Sequence, residues 1–256
     1  QETVETRDED AFDVVALHEW LVDNAPAMNV ADLGIPQVEQ FPGGASNLTY
    51  LLRYAAPDGE RAFVMRRPQA GHKAASAHDM HREVEVQSRL RPHYPFVPEI
   101  MAFCTDESVI GSDFYVMERL DGTILRATLP AGLVLTPERA RELAYTVIDA
   151  QADLHLLDPD AVGLAELGRG PGYVRRQVEG WSRRYRASWT DDVPDGETVM
   201  AWLDTHQPED VAQRVIHGDW RFDNLVLDLA DPPRIVGVLD WEMSTIGDPL
   251  MDLGSS

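Results

Sequence analysis

Between Val215 and Glu242 the sequence sets two short apolar runs around a turn. Leu225-Val226-Leu227 is the first run and Arg234–Leu239 the second, with Ala230-Asp231-Pro232-Pro233 between them. Run, turn and run predict a β-hairpin. This pattern constrains the fold because a hairpin brings its two outer ends back to one place. Asn224 stands just before the first strand and Asp240 just after the second, so both are expected at the same edge. Asp219 lies in the loop that Val215-Ile216 feeds, upstream of Asn224. That edge then offers a carboxylate, an amide oxygen and a second carboxylate. Magnesium takes such hard oxygens, keeps several waters, and draws its other ligands from a phosphate-bearing substrate. Phosphoryl transfer divides the labour in the same way: one carboxylate orients the nucleophile, while an amide and another carboxylate hold metal. Asp219, Asp223 and Asn224 are each ordinary turn-formers taken singly. The ordered set between two apolar strands is what points to chemistry.

Composition narrows the partners. The chain has 256 residues, with 22 basic against 44 acidic side chains and a net charge of −22. Hydrophobic residues reach 44%, enough for a packed core of one large domain or two small ones. The acidic balance excludes a nucleic-acid binder and a protein docked on anionic lipid, both of which need basic surface. It suits a cationic substrate, or simply solubility. Cys104 is the one cysteine, so neither an intramolecular disulfide nor a cysteine zinc site is available. Gln1–Asp10 is acidic and lacks an apolar core, unlike a secretory signal, and no apolar run approaches a membrane span. A soluble cytoplasmic protein is expected. Gln1 is not Met, so the natural start is expected upstream.

Periodicity supplies the rest of the outline. Phe12–Asn24 reads as an amphipathic helix that Pro26 ends; Val38–Phe41, Leu48–Tyr54 and Arg61–Arg66 read as strands; Ser76–Leu90 reads as a helix. Phe96–Cys104 and Phe114–Glu118 read as extended, separated by a polar turn at Asp106–Asp113. Thr136 predicts an N-cap with Pro137 at the first helical position, opening a helix to about Leu157; Gly172–Ser188 and Glu197–Thr205 predict two more. The strand-rich character gives way to helices near Glu118–Gly122, which divides the chain into residues 1–118 and 119–256.

The motif His217-Gly218-Asp219…Asn224, with Asp240-Trp241-Glu242 and Gly247-Asp248-Pro249-Leu250-Met251-Asp252-Leu253 after it, resembles the aminoglycoside phosphotransferase and choline-kinase-like family of small-molecule kinases, relatives of the protein kinases. The resemblance extends over nearly the whole chain. It implies an α+β, protein-kinase-like fold of two lobes: an N-terminal antiparallel sheet with one packed helix that binds nucleotide, and a mainly helical C-terminal catalytic lobe. It implies ATP as phosphoryl donor, Mg²⁺, and a small-molecule hydroxyl as acceptor. Asp219 is then the catalytic base, Arg221 a contact to the transferred phosphate, Asn224 and Asp240 the magnesium ligands, and Asp252 a support of the loop. Phe41-Pro42-Gly43-Gly44-Ala45-Ser46-Asn47 falls at the family's nucleotide loop, assigning Gly43, Gly44 and Ser46 to the phosphates; two glycines at a hairpin are otherwise an ordinary turn. Arg66 ends a strand where the family has lysine. Arginine can pair bidentately with phosphate or carboxylate. Lys73, the only lysine, is the alternative. Glu83 is either the carboxylate that pairs with the strand residue or a solvated helix residue. Backbone groups from Glu118 to Leu120 fall at the hinge that meets adenine. Family members continue past the equivalent of Ser256 with helices that build the acceptor pocket, so the second lobe is expected to be incomplete.

Within the family the sequence is most similar to the phosphotransferase domains fused to acyl-CoA dehydrogenases, by Asp106–Gly111, Asp158-Pro159…Val162-Gly163-Leu164, Gly172-Tyr173 and Val238–Glu242. That implies a hydroxyacyl-type acceptor. An aminoglycoside antibiotic kinase and a catalytically idle nucleotide-binding module are the alternatives. Arg175, Arg176, Arg183, Arg184 and Arg186 mark one helix that either receives an anionic group or presents a solvated, internally paired face. His78 and His81 near Glu85 form a weak metal pattern better read as surface histidines. The P-loop, dinucleotide and His-Glu-x-x-His patterns are missing.

Overall fold

A computed structural model describes residues 3–42, 47–69 and 80–255. In chain order its strands and helices are β1 (Val4–Glu5), α1 (Val14–Asn24), β2 (Gln37–Gln40), β3 (Asn47–Ala56), β4 (Gly59–Pro68), α2 (Met80–Leu90), β5 (Ile100–Cys104), α3 (Glu107–Ile110), β6 (Phe114–Glu118), α4 (Pro137–Leu156), α5 (Tyr173–Ser188), α6 (Glu197–His206), β7 (Arg214–Ile216), β8 (Leu225–Asp228), β9 (Arg234–Val238), β10 (Thr245–Gly247) and α7 (Pro249–Ser255). They form two compact units. Gln1–Val134 with Asp223–Glu242 makes the first, and Leu135–Phe222 with Met243–Ser256 the second.

The first unit is built on a six-stranded sheet in the order β1-β2-β3-β4-β6-β5, with antiparallel neighbours. Successive side chains of a strand face opposite sides, so one sheet serves two helices. Tyr50, Leu52, Tyr54, Met65, Phe114 and Val116 share a core with Leu17 and Leu21 of α1. The alternate residues Tyr115 and Met117, with Val64, pack against Met80 and Val84 of α2. The same alternation delivers Arg66, two places after Val64, to the α2 side. Its register partner across the sheet is Tyr115.

The sequence reading differs from this at the edge strand β1, which it does not contain, and at two further places. Asp106–Asp113, expected as a turn, contains one helical turn, because the Asp106 carboxylate caps Ser108 N–H at 2.9 Å and Gly111 closes it at φ 85°. Strand β5 starts at Ile100 rather than Phe96. The Phe96 carbonyl is diverted to Val238 N–H of the hairpin, at 2.7 Å.

Strands β8 and β9 pair antiparallel, as the apolar runs predict. Thr123 and Leu227 exchange both backbone hydrogen bonds, at 2.8 and 2.9 Å, so the hairpin joins the first unit. Gly237 makes the close fit possible, since a Cβ there would lie 2.0 Å from Leu120 Cδ1 and 3.2 Å from the Phe96 carbonyl oxygen.

In the second unit, α4 is capped by Thr136 and starts on Pro137 as predicted. It buries Leu143, Val147, Ala150, Gln151, Leu154 and His155 along one stripe. Strands β7 and β10 form a short antiparallel pair. Asp210 accepts the N–H groups of Gly172, Tyr173 and Val174 at 2.6–2.9 Å and so closes the N-terminus of α5, whose own cap, Gly172, has no side chain to do it. Among the described residues no helix is long and apolar enough to cross a membrane.

Candidate functional site

Arg66 is 8% exposed and sits among acids. Its Nη1 pairs with Glu83 Oε1 of α2, and its Nη2 lies 3.2 Å from Asp240 Oδ1 and 3.6 Å from Glu242 Oε2. Glu83, 2% exposed, is therefore a pairing residue and not a solvated one. The Tyr115 hydroxyl donates to the same Glu83 oxygen at 2.8 Å, and Gln87 Nε2 lies 3.5 Å from that hydroxyl. Burial pushes the Glu83 carboxyl above its ordinary range, opposed by Arg66 and the Tyr115 hydrogen bond. Burial works against the Arg66 charge, yet the facing Tyr115, Glu83, Asp240 and Glu242 more than offset it and hold the guanidinium well above its ordinary value. Arg66 thus stays a cation in the interior.

The hairpin end is built as its sequence predicts. Leu225 pairs with Val238, and Leu239 N–H donates to the Asn224 carbonyl at 2.8 Å, which brings Asn224 beside Asp240. Asp240 adopts φ 67°, a left-handed conformation that is uncommon outside glycine and costs energy the surroundings must supply. Its side chain remains 34% exposed although Arg66 faces Oδ1. Asn47, at the start of β3, donates to Glu242 Oε2 at 3.2 Å. Arg66 Nε and Asn47 Oδ1 are buried without a hydrogen-bond partner among the described residues. The partly exposed Asp240 carboxylate is an oxygen donor of the kind a hard cation takes when it arrives with a phosphate-bearing ligand, whereas Arg66 Nε, an N–H donor, is not. No group of three or more His, Cys, Asp or Glu side chains is placed to hold a metal on its own among the described residues.

The second unit carries Asp219 on a loop that is held from beneath. Asp252 of α7, 1% exposed, accepts His217 N–H at Oδ2 and Gly218 N–H at Oδ1, both at 2.7 Å. Gly218 has φ 84°, and a Cβ there would lie 2.8 Å from the Met243 carbonyl oxygen, so only glycine fits. Asp219 N–H lies 3.3 Å from His217 Nδ1. Asp219 is partly exposed and Arg221 exposed.

Gly43, Gly44, Ser46, Lys73 and His78 lie outside the described residues. Glu118 directs its carboxylate to Glu99 N–H at 2.8 Å and to Arg91 at 3.4 Å, while its own N–H donates to the Glu99 carbonyl. Leu120 packs against Gly237. His81 is exposed, as the surface reading expects, and meets Phe103 edge-on, while Glu85 pairs with Arg89. On α5, Arg186 pairs with Glu197, Arg176 donates to the Pro171 and Gly170 carbonyls, and Arg184 lies over Trp181. Three of its five arginines are thus engaged internally. Sequence reasoning missed Tyr115, Gln87 and His155. Each is a polar group on an otherwise apolar strand face or helix stripe, which was the available signal.

Residues 37–256 match the model of the phosphotransferase enzyme family. Acyl-CoA dehydrogenase family member 11 of Gallus gallus is 38% identical over 98% of this chain and 31% of its own length. Family member 10 of Mus musculus is 36% identical over 87% of this chain and 20% of its own length. The chain therefore spans about a third or less of these curated relatives. Among solved structures, a candidate aminoglycoside phosphotransferase of Ralstonia eutropha superimposes with a TM-score of 0.77 at 34% identity, covering 95% of this chain and 69% of that one. A macrolide 2'-phosphotransferase, at 21% identity and a TM-score of 0.63 over 96% of this chain and 77% of that one, shares the fold.

Proposed function

The chain belongs to the phosphotransferase enzyme family, and from that premise we propose that it moves the γ-phosphoryl group of ATP to a hydroxyl of a small, hydroxyacyl-type molecule. The observation that carries this reading is the buried Arg66 guanidinium, shared between Glu83 of α2 and Asp240 at the hairpin end. A cation held there by two carboxylates is aimed by them and needs no reorganisation when phosphate charge builds. Asp219 accepts the proton of the attacking hydroxyl and orients that oxygen. Arg221 and Arg66 stabilise charge on the transferring group. Glu83 fixes the direction of Arg66. Asn224 and Asp240 would hold magnesium, which when bound supplies positive charge across the phosphate oxygens. Backbone N–H groups of Gly43, Gly44 and Ser46 cover the phosphates. Backbone from Glu118 to Leu120 meets adenine, apart from the Glu118 amide already committed to Glu99. The relatives that match nearly the whole chain are named as acyl-CoA dehydrogenase family members, which favours the hydroxyacyl acceptor. The net charge of −22 favours a polycationic antibiotic instead.

A direct assay separates these readings. The chain is incubated with MgATP and a hydroxyacyl-CoA thioester, the matching free hydroxy acid or kanamycin, and products are followed by ³¹P NMR. Transfer to the thioester is expected. Transfer to kanamycin alone would replace the acceptor, and tight ATP binding with no transfer to any of the three would leave an idle module. Asp219→Ala is expected to lose about 10²–10⁴-fold in turnover while nucleotide binding survives.

A further inference from the structure

We propose that Tyr115 is a positioning residue: its hydroxyl holds the Glu83 carboxylate from a third element, β6, and through it keeps Arg66 aimed. The consequence for turnover rests on the phosphotransfer reading above; the geometry does not. Tyr115 is fully buried, and its neighbours on β6, Phe114, Val116 and Met117, are apolar. A hydroxyl carried into such an interior needs a partner. Its surroundings fix where its single proton goes. Arg66 Nη1 lies 3.4 Å from it and Gln87 Nε2 3.5 Å, and both are donors. The Glu83 carbonyl, 3.5 Å from the same Gln87 nitrogen, sets the direction of that amide. Glu83 Oε1, at 2.8 Å, is an acceptor, so the hydroxyl donates to it. Burial raises the phenol well above its ordinary value of 10.0, against the opposing pull of Arg66, so the proton is there to be given.

The hydroxyl does more than satisfy itself. Arg66 and Glu83 alone could swing together, because each would go on pairing with the other. Arg66 comes from β4 and Glu83 from α2. Tyr115 stands opposite Arg66 in the β4–β6 register, so the backbone ladder fixes its place relative to the arginine. Its bond to Oε1 therefore ties the α2 carboxylate to the sheet by a route that does not pass through the guanidinium. Glu83 stays in place when Arg66 turns from Asp240 and Glu242 toward another anion. A phenylalanine at this position would fill the same space and lose the tie. A misplacement of about 1 Å can cost about 10²-fold in rate, and a small swing of Arg66 costs part of that.

The test uses Tyr115→Phe on the whole chain, which removes the hydroxyl and keeps the ring. The guanidinium protons of Arg66 read its aim directly, whatever the protein catalyses; their ¹H–¹⁵N signals are those missing from Arg66→Lys. Their exchange with water is expected to quicken by about tenfold or more in Tyr115→Phe. Unchanged exchange would overturn the proposal. Turnover of MgATP, with water as acceptor, reads the consequence. Tyr115→Phe is expected to lose about tenfold in kcat, with KM for MgATP within about twofold. An unchanged kcat would count against the proposal equally. Glu83→Gln separates the route. Adding Tyr115→Phe to Glu83→Gln is expected to cost less than about twofold more, and a further tenfold loss would show that Tyr115 acts elsewhere. The Tyr115 hydroxyl proton, identified by its proximity to its own ring protons, is expected to exchange slowly and to shift in Glu83→Gln. A hydroxyl proton that does not respond would also overturn the proposal, and this measurement decides alone if Tyr115→Phe does not fold. No turnover in the unsubstituted chain would reject the phosphotransfer reading and leave the exchange results to decide the positioning.

Discussion

Arginine at position 66 changes what one side chain can do. A lysine offers a single ammonium, whereas Arg66 uses Nη1 on Glu83 and Nη2 on Asp240 at once. The arrangement is costly to break by halves, since removing one partner leaves the other charge buried. Arg66→Met is therefore expected to destabilise the chain by about 3–5 kcal/mol, read from urea denaturation. Arg66→Met combined with Glu83→Leu removes both members of the buried pair. The double variant is expected to lose clearly less than the sum of the two single losses; strict additivity would show that the two groups are not coupled. Gly218→Ala tests a backbone constraint instead of a charge. The added methyl meets the Met243 carbonyl in a conformation alanine resists, for an expected loss of about 1–3 kcal/mol.

Whole elements were legible where periodicity and punctuation agree. The hairpin β8–β9 followed from two apolar runs and a proline turn, and α4 from Thr136-Pro137. The edge strand β1 was not legible, because two exposed residues carry no period. Nor was α3, where Asp106-Glu107-Ser108 has the composition of a turn and only the capping bond makes it helical. At the site, Asn224 beside Asp240 could be reasoned from hairpin geometry, but the Tyr115 contact needs the register Arg66–Tyr115, which no local pattern states. The Asp210 cap on α5 is equally non-local. It yields a pH prediction at this scale. Partial burial works against the Asp210 charge, but the three backbone N–H groups and Arg176 outweigh it and hold the carboxyl below its ordinary value of 3.8. A carboxyl whose folded pKa is depressed binds fewer protons folded than unfolded, so its contribution is full above pH 3.8 and is lost as pH falls through the lower folded value. Asp210→Asn is expected to cost about 1–2 kcal/mol at pH 7. The gap from the unsubstituted chain should narrow below pH 3.8 in urea titrations, and a gap that widened there would contradict the assignment.

For the molecule as a whole, charge imbalance sets the response to salt. With 44 acids against 22 basic residues, repulsion among carboxylates is spread over the entire surface. Opposing it are local attractions such as Arg186–Glu197 at 2.7 Å and the Arg234–Asp228 pair, each on the exposed surface and individually weak. Salt weakens both kinds of interaction, but unequally. A contact pair is shorter than the screening length at any ordinary ionic strength. Repulsion between distant carboxylates acts over tens of ångströms, and the screening length falls from about 30 Å at 0.01 M to about 8 Å at 0.15 M. The long-range repulsion is therefore removed first, and it favours the expanded state. The buried set around Arg66 is shielded from solvent ions and contributes little to the change. Stability is accordingly expected to rise with sodium chloride over this range at pH 7, seen as a higher urea midpoint with an unchanged slope. A midpoint that fell would mean that surface ion pairs outweigh the net charge of −22, and that the acids are arranged to attract more than they repel.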